Sequence, residues 1–326
     1  MLNQRALESI RTKNFSDLLE VMRKQGMCSL SQITAQMDVG LTTVKKCVEE
    51  GVKCGMILPG EAADSTGGRK AQQFIINPKY QYYLIVITDN NDLICKIYDF
   101  NKRCVEETQK TFSMPLYYQS LCDEIDAFTG RYEVGTICLS LPCVIKSGRV
   151  VDWYYNPELQ GFDIQGALEK RFGVHVVVQN DMKLTVLGAE ARPEGEPTPN
   201  LVTAQFGHNG IGVGELVNGR VLEGHSGFAG EVGYIQDIRK NIMGTAYLAK
   251  IVRSVIICIN PQKIIFYHSQ RQNNFPRIFE EAIRGLPGYA VPEYVISDEY
   301  LQDITVGFFK VIDEKGYFKK ESKSDE

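Results

Sequence analysis

No stretch of the 326-residue chain is apolar for long enough to cross a bilayer. The opening Met1-Leu2-Asn3-Gln4-Arg5 lacks the apolar core of a secretion signal. Membrane and exported classes are set aside on these grounds, and the cytoplasm is the expected location. The nine cysteines include no Cys-x-x-Cys pair, which argues against a disulfide framework and a zinc site and predicts reduced, mostly buried thiols. Cys138 and Cys143 flank an apolar strand and read as core residues.

What is present is ordinary for a globular protein, with 44% hydrophobic and 23% charged residues. The length predicts two or three folding units. The net charge of −4 is unevenly spread. Residues 1–80 hold 11 Lys/Arg against 8 Asp/Glu, and the remainder holds 25 against 32. A basic first segment on an acidic body is the asymmetry expected when one end meets nucleic acid.

Asn14 to Met22 has apolar residues at helical spacing, with Gly26 placed as a C-cap. Ser29 or Ser31 opens a second short helix with Ile33 and Met37 inward. After the turn Asp38-Val39-Gly40, a third helix runs from Leu41 or Thr42 to about Cys54, with Val44, Val48 and Val52 on one face. Met56-Ile57-Leu58 and Phe74-Ile75-Ile76 read as paired strands around a polar tip, Asp64 to Lys70. Three helices followed by a basic-tipped hairpin predict a winged helix-turn-helix that binds double-stranded DNA. The third helix is expected in the major groove with Thr42, Thr43, Lys45 and Lys46. Ser31 and Gln32 are expected beside it, and Arg69 and Lys70 at the wing tip. The competing reading is a helical bundle used for packing or protein contact.

From Tyr82 the texture alternates strands and helices, predicting an α/β body. Strands are expected at Tyr82–Ile87, Leu93–Tyr98, near Val105–Lys110, at Val134–Leu141, Val174–Val178 and Leu201–Phe206. Helices are expected near Tyr117–Thr129, at Phe162–Phe172 and near Thr245–Ile259. Gly207 to Gly214 holds four glycines; it suits close backbone approach to a ligand or, equally, a glycine-rich β-turn.

The run Leu222-Glu223-Gly224-His225-Ser226-Gly227-Phe228-Ala229-Gly230-Glu231-Val232-Gly233-Tyr234 resembles the signature of the ROK family of sugar-responsive repressors and sugar kinases. Gln179-Asn180-Asp181 with Leu187-Gly188-Ala189-Glu190, Asn156-Pro157-Glu158-Leu159, Asn260-Pro261 and the Ser65 to Lys70 wing agree with it in order. The resemblance is to the repressor branch, of N-acetylglucosamine and xylose type. It implies a two-lobed sugar-kinase-like body, of the actin-like ATPase and ribonuclease-H-like class, behind the winged helix. The expected domains are 1–80, a first lobe at 81–180 completed by a C-terminal helix at 295–317, a second lobe at 181–294, and a charged tail at 318–326. It places Asn156, Asn180, Asp181, Gly227, Glu231 and Tyr234 at the ligand, a sugar or sugar derivative.

Three departures from the family pattern argue against catalysis. Thr88-Asp89-Asn90-Asn91-Asp92 has no glycine where the kinases carry a phosphate loop. His208-Asn209 interrupts the second glycine element, and Phe266-Tyr267-His268-Ser269 replaces a glycine pair at the adenosine. The zinc-binding cysteines are missing: Tyr234 stands where the family has a histidine, and no cysteine lies between Ile235 and Lys250. The expectation is a non-enzymatic regulator with no cofactor, no metal and no catalytic residue, forming a homodimer or homotetramer. A sugar kinase with an added N-terminal domain and a regulator whose body only oligomerises remain the alternatives.

Overall fold

The computed structural model describes residues 2–60, 71–89, 91–112, 115–192, 197–207, 210–235, 244–268 and 274–316. The expected charged tail and the tip of the first hairpin lie outside them.

The N-terminal unit begins with helix α1 (Leu2–Gln25), longer than its apolar periodicity indicated. It stops at Gly26, whose positive φ of 74° suits a residue without a side chain. Strand β1 (Cys28–Ser29) leads into α2 (Leu30–Thr34). Ser29 caps α2 in a reciprocal box with Gln32, each side chain reaching the other's backbone N–H. Helix α3 (Leu41–Lys53) buries Val44, Cys47, Val48 and Gly51. Val52 points outward, contrary to expectation. Gly51 takes the inner position because Ile57 packs where a Cβ would stand. Strands β2 (Ile57–Pro59) and β3 (Gln73–Ile76) pair antiparallel, and β1 pairs with the outer side of β3. That third strand was not anticipated, since two residues leave no alternation to read.

The body repeats one topology twice. In the first sheet, β4 (Tyr82–Asp89) pairs antiparallel with β5 (Asp92–Tyr98), and β5 with β6 (Cys104–Thr111). On its other side β4 runs parallel to β7 (Val134–Leu141), and β7 parallel to β10 (His175–Asn180). A small ribbon, β8 (Val144–Lys146) with β9 (Arg149–Asp152), follows β7. Central β4 is buried on both faces over Tyr83–Thr88, whereas edge β6 exposes a charged, polar surface that discourages further pairing. Helices α4 (Tyr118–Thr129) and α5 (Ile164–Phe172) cover this sheet with Leu121, Ile125, Phe128, Ile164 and Leu168.

The second sheet has β11 (Leu201–Gly207) antiparallel to β12 (Gly210–Val217), which carries short β13 (Arg220–Val221). Beyond β11 lie β14 (Lys263–Tyr267) and β15 (Glu293–Ser297), both parallel. Helices α7 (Thr245–Ile259) and α8 (Phe275–Ile283) cover it around Phe206, Phe266 and Phe275. Among the described residues no helix is long and apolar enough to cross a membrane.

Helices α6 (Asp181–Glu190) and α9 (Tyr300–Lys315) lie between the lobes. They approach backbone to backbone: a Cβ on Gly188 would meet the Asp303 carbonyl, and one on Gly307 the Leu184 carbonyl. Phe309 of α9 meets Tyr83 and Tyr98 edge-on, so the C-terminal helix closes one face of the first sheet. The far end of α9 reaches α1. Ser16 donates to the Asp313 carbonyl, and the Asp313 carboxylate lies between Lys102 and Arg23. One hydrophobic core therefore runs from Phe15 and Leu18 through Tyr83 to Phe308.

Candidate functional site

The turn from β10 into α6 puts two polar side chains at the seam of the lobes. Asn180 has an extended φ and ψ, and its Oδ1 accepts from the Lys183 amide at 3.1 Å. Its Nδ2 donates to the Cys143 carbonyl at 3.1 Å. Both of its polar atoms hold the fold, as an N-cap requires. Asp181 accepts from the Met182 amide and from the Tyr300 hydroxyl at 2.7 Å. Burial outweighs these bonds and raises its carboxyl to about 6, with nearby Asp89 adding to the rise.

In front of this turn lies a cavity open to solvent and lined from both lobes. The first lobe supplies Pro142, Cys143, Asp152, Tyr154 and Tyr155, and the second supplies Ile211, Glu231 and Tyr234. Burial pushes the Glu231 carboxyl up to about 7, helped by Asp181 and opposed by Lys183. The Tyr234 hydroxyl donates to Asp152 Oδ2 at 2.5 Å, and burial with that carboxylate raises the phenol to about 12. The Cys143 thiol is held well above its ordinary value by burial and by Asp181, Glu231 and Asp152.

Six residues were expected at a ligand, and the fold brings only part of that set together. Glu231 and Tyr234 reach the cavity, with Asp181 close behind Glu231. Asn156 is fully buried and donates to the Leu116 carbonyl. Gly227 is held at a φ of 84°, where a Cβ would strike the Ile145 carbonyl, and its own carbonyl accepts from Lys183. Asp152, Tyr154, Tyr155 and Lys183 were missed. The run Asp152-Trp153-Tyr154-Tyr155 was a legible signal, four bulky or acidic residues beside a proline turn. Lys183 gave none, because a lysine in a first helical turn ordinarily faces water.

The glycine-rich segment resolves toward packing. Residues from Gly210 onward form strand β12, and Gly212 and Gly214 lie against Met182, leaving no room for a Cβ. At the turn after β4, Asp92 accepts from Thr111 and Gln109, tying β5 to β6. His208 and Asn209 lie outside the described residues. Among those described, no three His, Cys, Asp or Glu could together hold a metal ion.

In the N-terminal unit, Thr42, Lys45 and Lys46 are exposed on α3 and Thr43 is half-buried. Lys45 lies 3.8 Å from Glu49. Ser31 and Gln32 are exposed, with Gln32 Oε1 engaged in the α2 cap. Arg69 and Lys70 lie outside the described residues.

The DNA-binding transcriptional dual regulator NagC of Escherichia coli is 24% identical over 243 residues, covering 71% of this chain and 59% of that protein. The chain thus spans about three-fifths of that relative's length. A crystal structure described as a ROK family transcriptional regulator, homologue of the E. coli MLC protein, superposes with a TM-score of 0.71 at 17% identity. It covers 95% of this chain and 97% of its own. The ROK hexokinase from Thermus thermophilus superposes with a TM-score of 0.53 at 16% identity, covering 71% and 99%. Residues 90–246 match the model of the ROK family, and the chain carries a ROK family domain homologous to that of the repressor NagC.

Proposed function

We propose that the chain is a DNA-binding transcriptional regulator, a repressor of carbohydrate-metabolism genes, whose kinase-like body senses a sugar or sugar derivative without phosphorylating it. The observation that carries the reading is α3: its inner face is packed by Val44, Cys47 and Val48, while Thr42, Lys45 and Lys46 face solvent. A helix so divided, preceded by a short capped helix and followed by paired antiparallel strands, supports reading residues 1–80 as a winged helix-turn-helix. In this reading α3 enters the major groove, Ser31 and Gln32 meet the backbone beside it, and Arg69 and Lys70 contact phosphate from the wing. Likeness to the dual regulator NagC and to the xylose repressor of Bacillus subtilis supports the same assignment.

Sugar kinases share the fold, so absence of phosphoryl transfer belongs to the proposal. It is supported by Met182 packed against Gly212 and Gly214, and by Asp92 bonded within its own sheet. The remaining assignments follow: lobes at 81–180 with 295–317 and at 181–294, a tail at 318–326, a homodimer or homotetramer matching paired half-sites, and a cytoplasmic location.

Helix α9 supplies the linkage. Its first turn holds Asp181 through Tyr300, and its last turn holds α1 through Asp313. A shift of the lobes at the cavity moves one end of α9, and a rigid 16-residue helix carries that shift to the N-terminal unit. Selection of duplexes from a random pool by the full chain tests the reading. We expect recovery of a paired half-site, and for Arg69→Ala a broad loss of affinity with a shallower salt dependence. No enriched sequence contradicts the assignment, and an unchanged salt slope removes Arg69 from the interface.

A further inference from the structure

Resting on the proposal that the body senses a ligand, we infer that the cavity between the lobes selects a positively charged effector, a sugar bearing a free ammonium group, over neutral or anionic sugars. Three features of the wall converge on that chemistry.

The first is Glu231. It lines the cavity half-buried, and among the described residues no hydrogen bond or ion pair engages its carboxylate. A carboxylate so placed is open to a donor that enters the cavity. The second is the balance of charge. Asp152 and Glu231 both line the cavity and Asp181 stands behind Glu231, and among the described residues no Lys or Arg lines it. Lys183 lies close by with its ammonium donating to the Gly227 carbonyl, and it also feels Glu223 and Glu215. Glu223 is paired with Lys146 at 3.0 Å, which leaves Lys183 as the cation nearest Glu231. A phosphate or uronate ligand would add a further negative charge to this wall.

The third is aromatic. Tyr154, Tyr155 and Tyr234 line the cavity while each remains about half exposed, at 50%, 42% and 45%. Rings of Tyr154 and Tyr155 stand perpendicular with centroids 5.1 Å apart, and Phe228 lies 5.1 Å from Tyr234. Aromatic faces collected at an acidic mouth attract both cations and the C–H faces of sugar rings. An ammonium group supplies three donors and the missing charge together, whereas a hydroxyl supplies a donor alone.

Titration calorimetry of the full chain at pH 7 tests this. Glucosamine, galactosamine and mannosamine are compared with the parent hexoses, the N-acetyl derivatives and the hexose 6-phosphates. We expect at least one amine to bind tenfold or more tightly than its parent and its N-acetyl form. The preference shrinks in Glu231→Gln and in Asp152→Asn, with circular dichroism showing each variant folded. A parent hexose or 6-phosphate that binds as tightly as its amine overturns the charge selection and leaves sugar sensing intact. No binding by any member of the panel overturns both.

Discussion

Two carboxylates at the seam of the lobes, Asp303 and Glu231, are both lifted above the usual carboxylate range by burial, yet their surroundings differ. Asp303, on the inner face of α9, accepts from the Arg192 guanidinium through both oxygens and from the Tyr267 hydroxyl at 2.5 Å. Arg192 is further held by Ser297 and by Glu299 at 3.1 Å. Every strong donor nearby is used, and the cluster joins α9, β14 and the end of α6. Glu231 faces a cavity lined by tyrosines, and among the described residues no guanidinium or ammonium lines it. A charge with a full set of partners inside the protein builds the fold, and one that faces an open cavity without them is free to take a partner from outside.

The contrast can be broken by mutation, beginning with Asp303→Ala. Removing it takes the carboxylate from Tyr267 and leaves Arg192 only Ser297 and the exposed Glu299, and we expect a loss of about 3 kcal/mol in chemical denaturation, the scale for breaking a buried pair. A loss below about 1 kcal/mol would mean the cluster is not the structural centre described.

Glu231→Gln should act in the other direction. A carboxyl raised from an ordinary value of 4.5 to about 7 binds its proton more tightly in the folded state. Stability is therefore fully present below about pH 4 and falls as pH rises toward 7, and Asp181, raised to about 6, adds to the decline. The glutamine variant escapes its share. It should match the wild type near pH 4 and exceed it at pH 8 by on the order of 1–3 kcal/mol. Equal stability at pH 8, read from melting curves, would show that Glu231 has a partner after all.

The smallest expected effect is that of Tyr234→Phe. The tyrosine is half exposed, and its bond to Asp152 is at the rim. Its loss should shift stability by under about 1 kcal/mol while lowering the affinity for amine ligands severalfold. A large stability loss would move Tyr234 from the ligand wall into the fold.

Much of the fold was legible because its signals are local. The apolar runs at Tyr82 and Val134, the periodicity of Leu41 to Lys53 and the helix at Thr245 all correspond to observed elements. Cys28–Ser29 was missed because its strand character comes from pairing with Phe74 and Gln73, a partner 46 residues away. The site was legible only in part. Motif resemblance picked out Glu231 and Tyr234, which reach the cavity, alongside Asn180 and Asn156, whose side chains serve the backbone around them. Sequence carries no mark of which polar atoms the fold will already have used. Lys183 shows the converse: nothing in its neighbours along the chain reveals that it turns inward to Gly227.

The central claim is that occupancy of the cavity is communicated to DNA binding. Its most direct test is fluorescence anisotropy of a selected duplex with the full chain, with and without saturating ligand from the calorimetric panel. The account predicts a change in DNA affinity of about fivefold or more, on the usual scale of coupling between sites, and loss of that change in Glu231→Gln. The same DNA affinity at saturating ligand would contradict it.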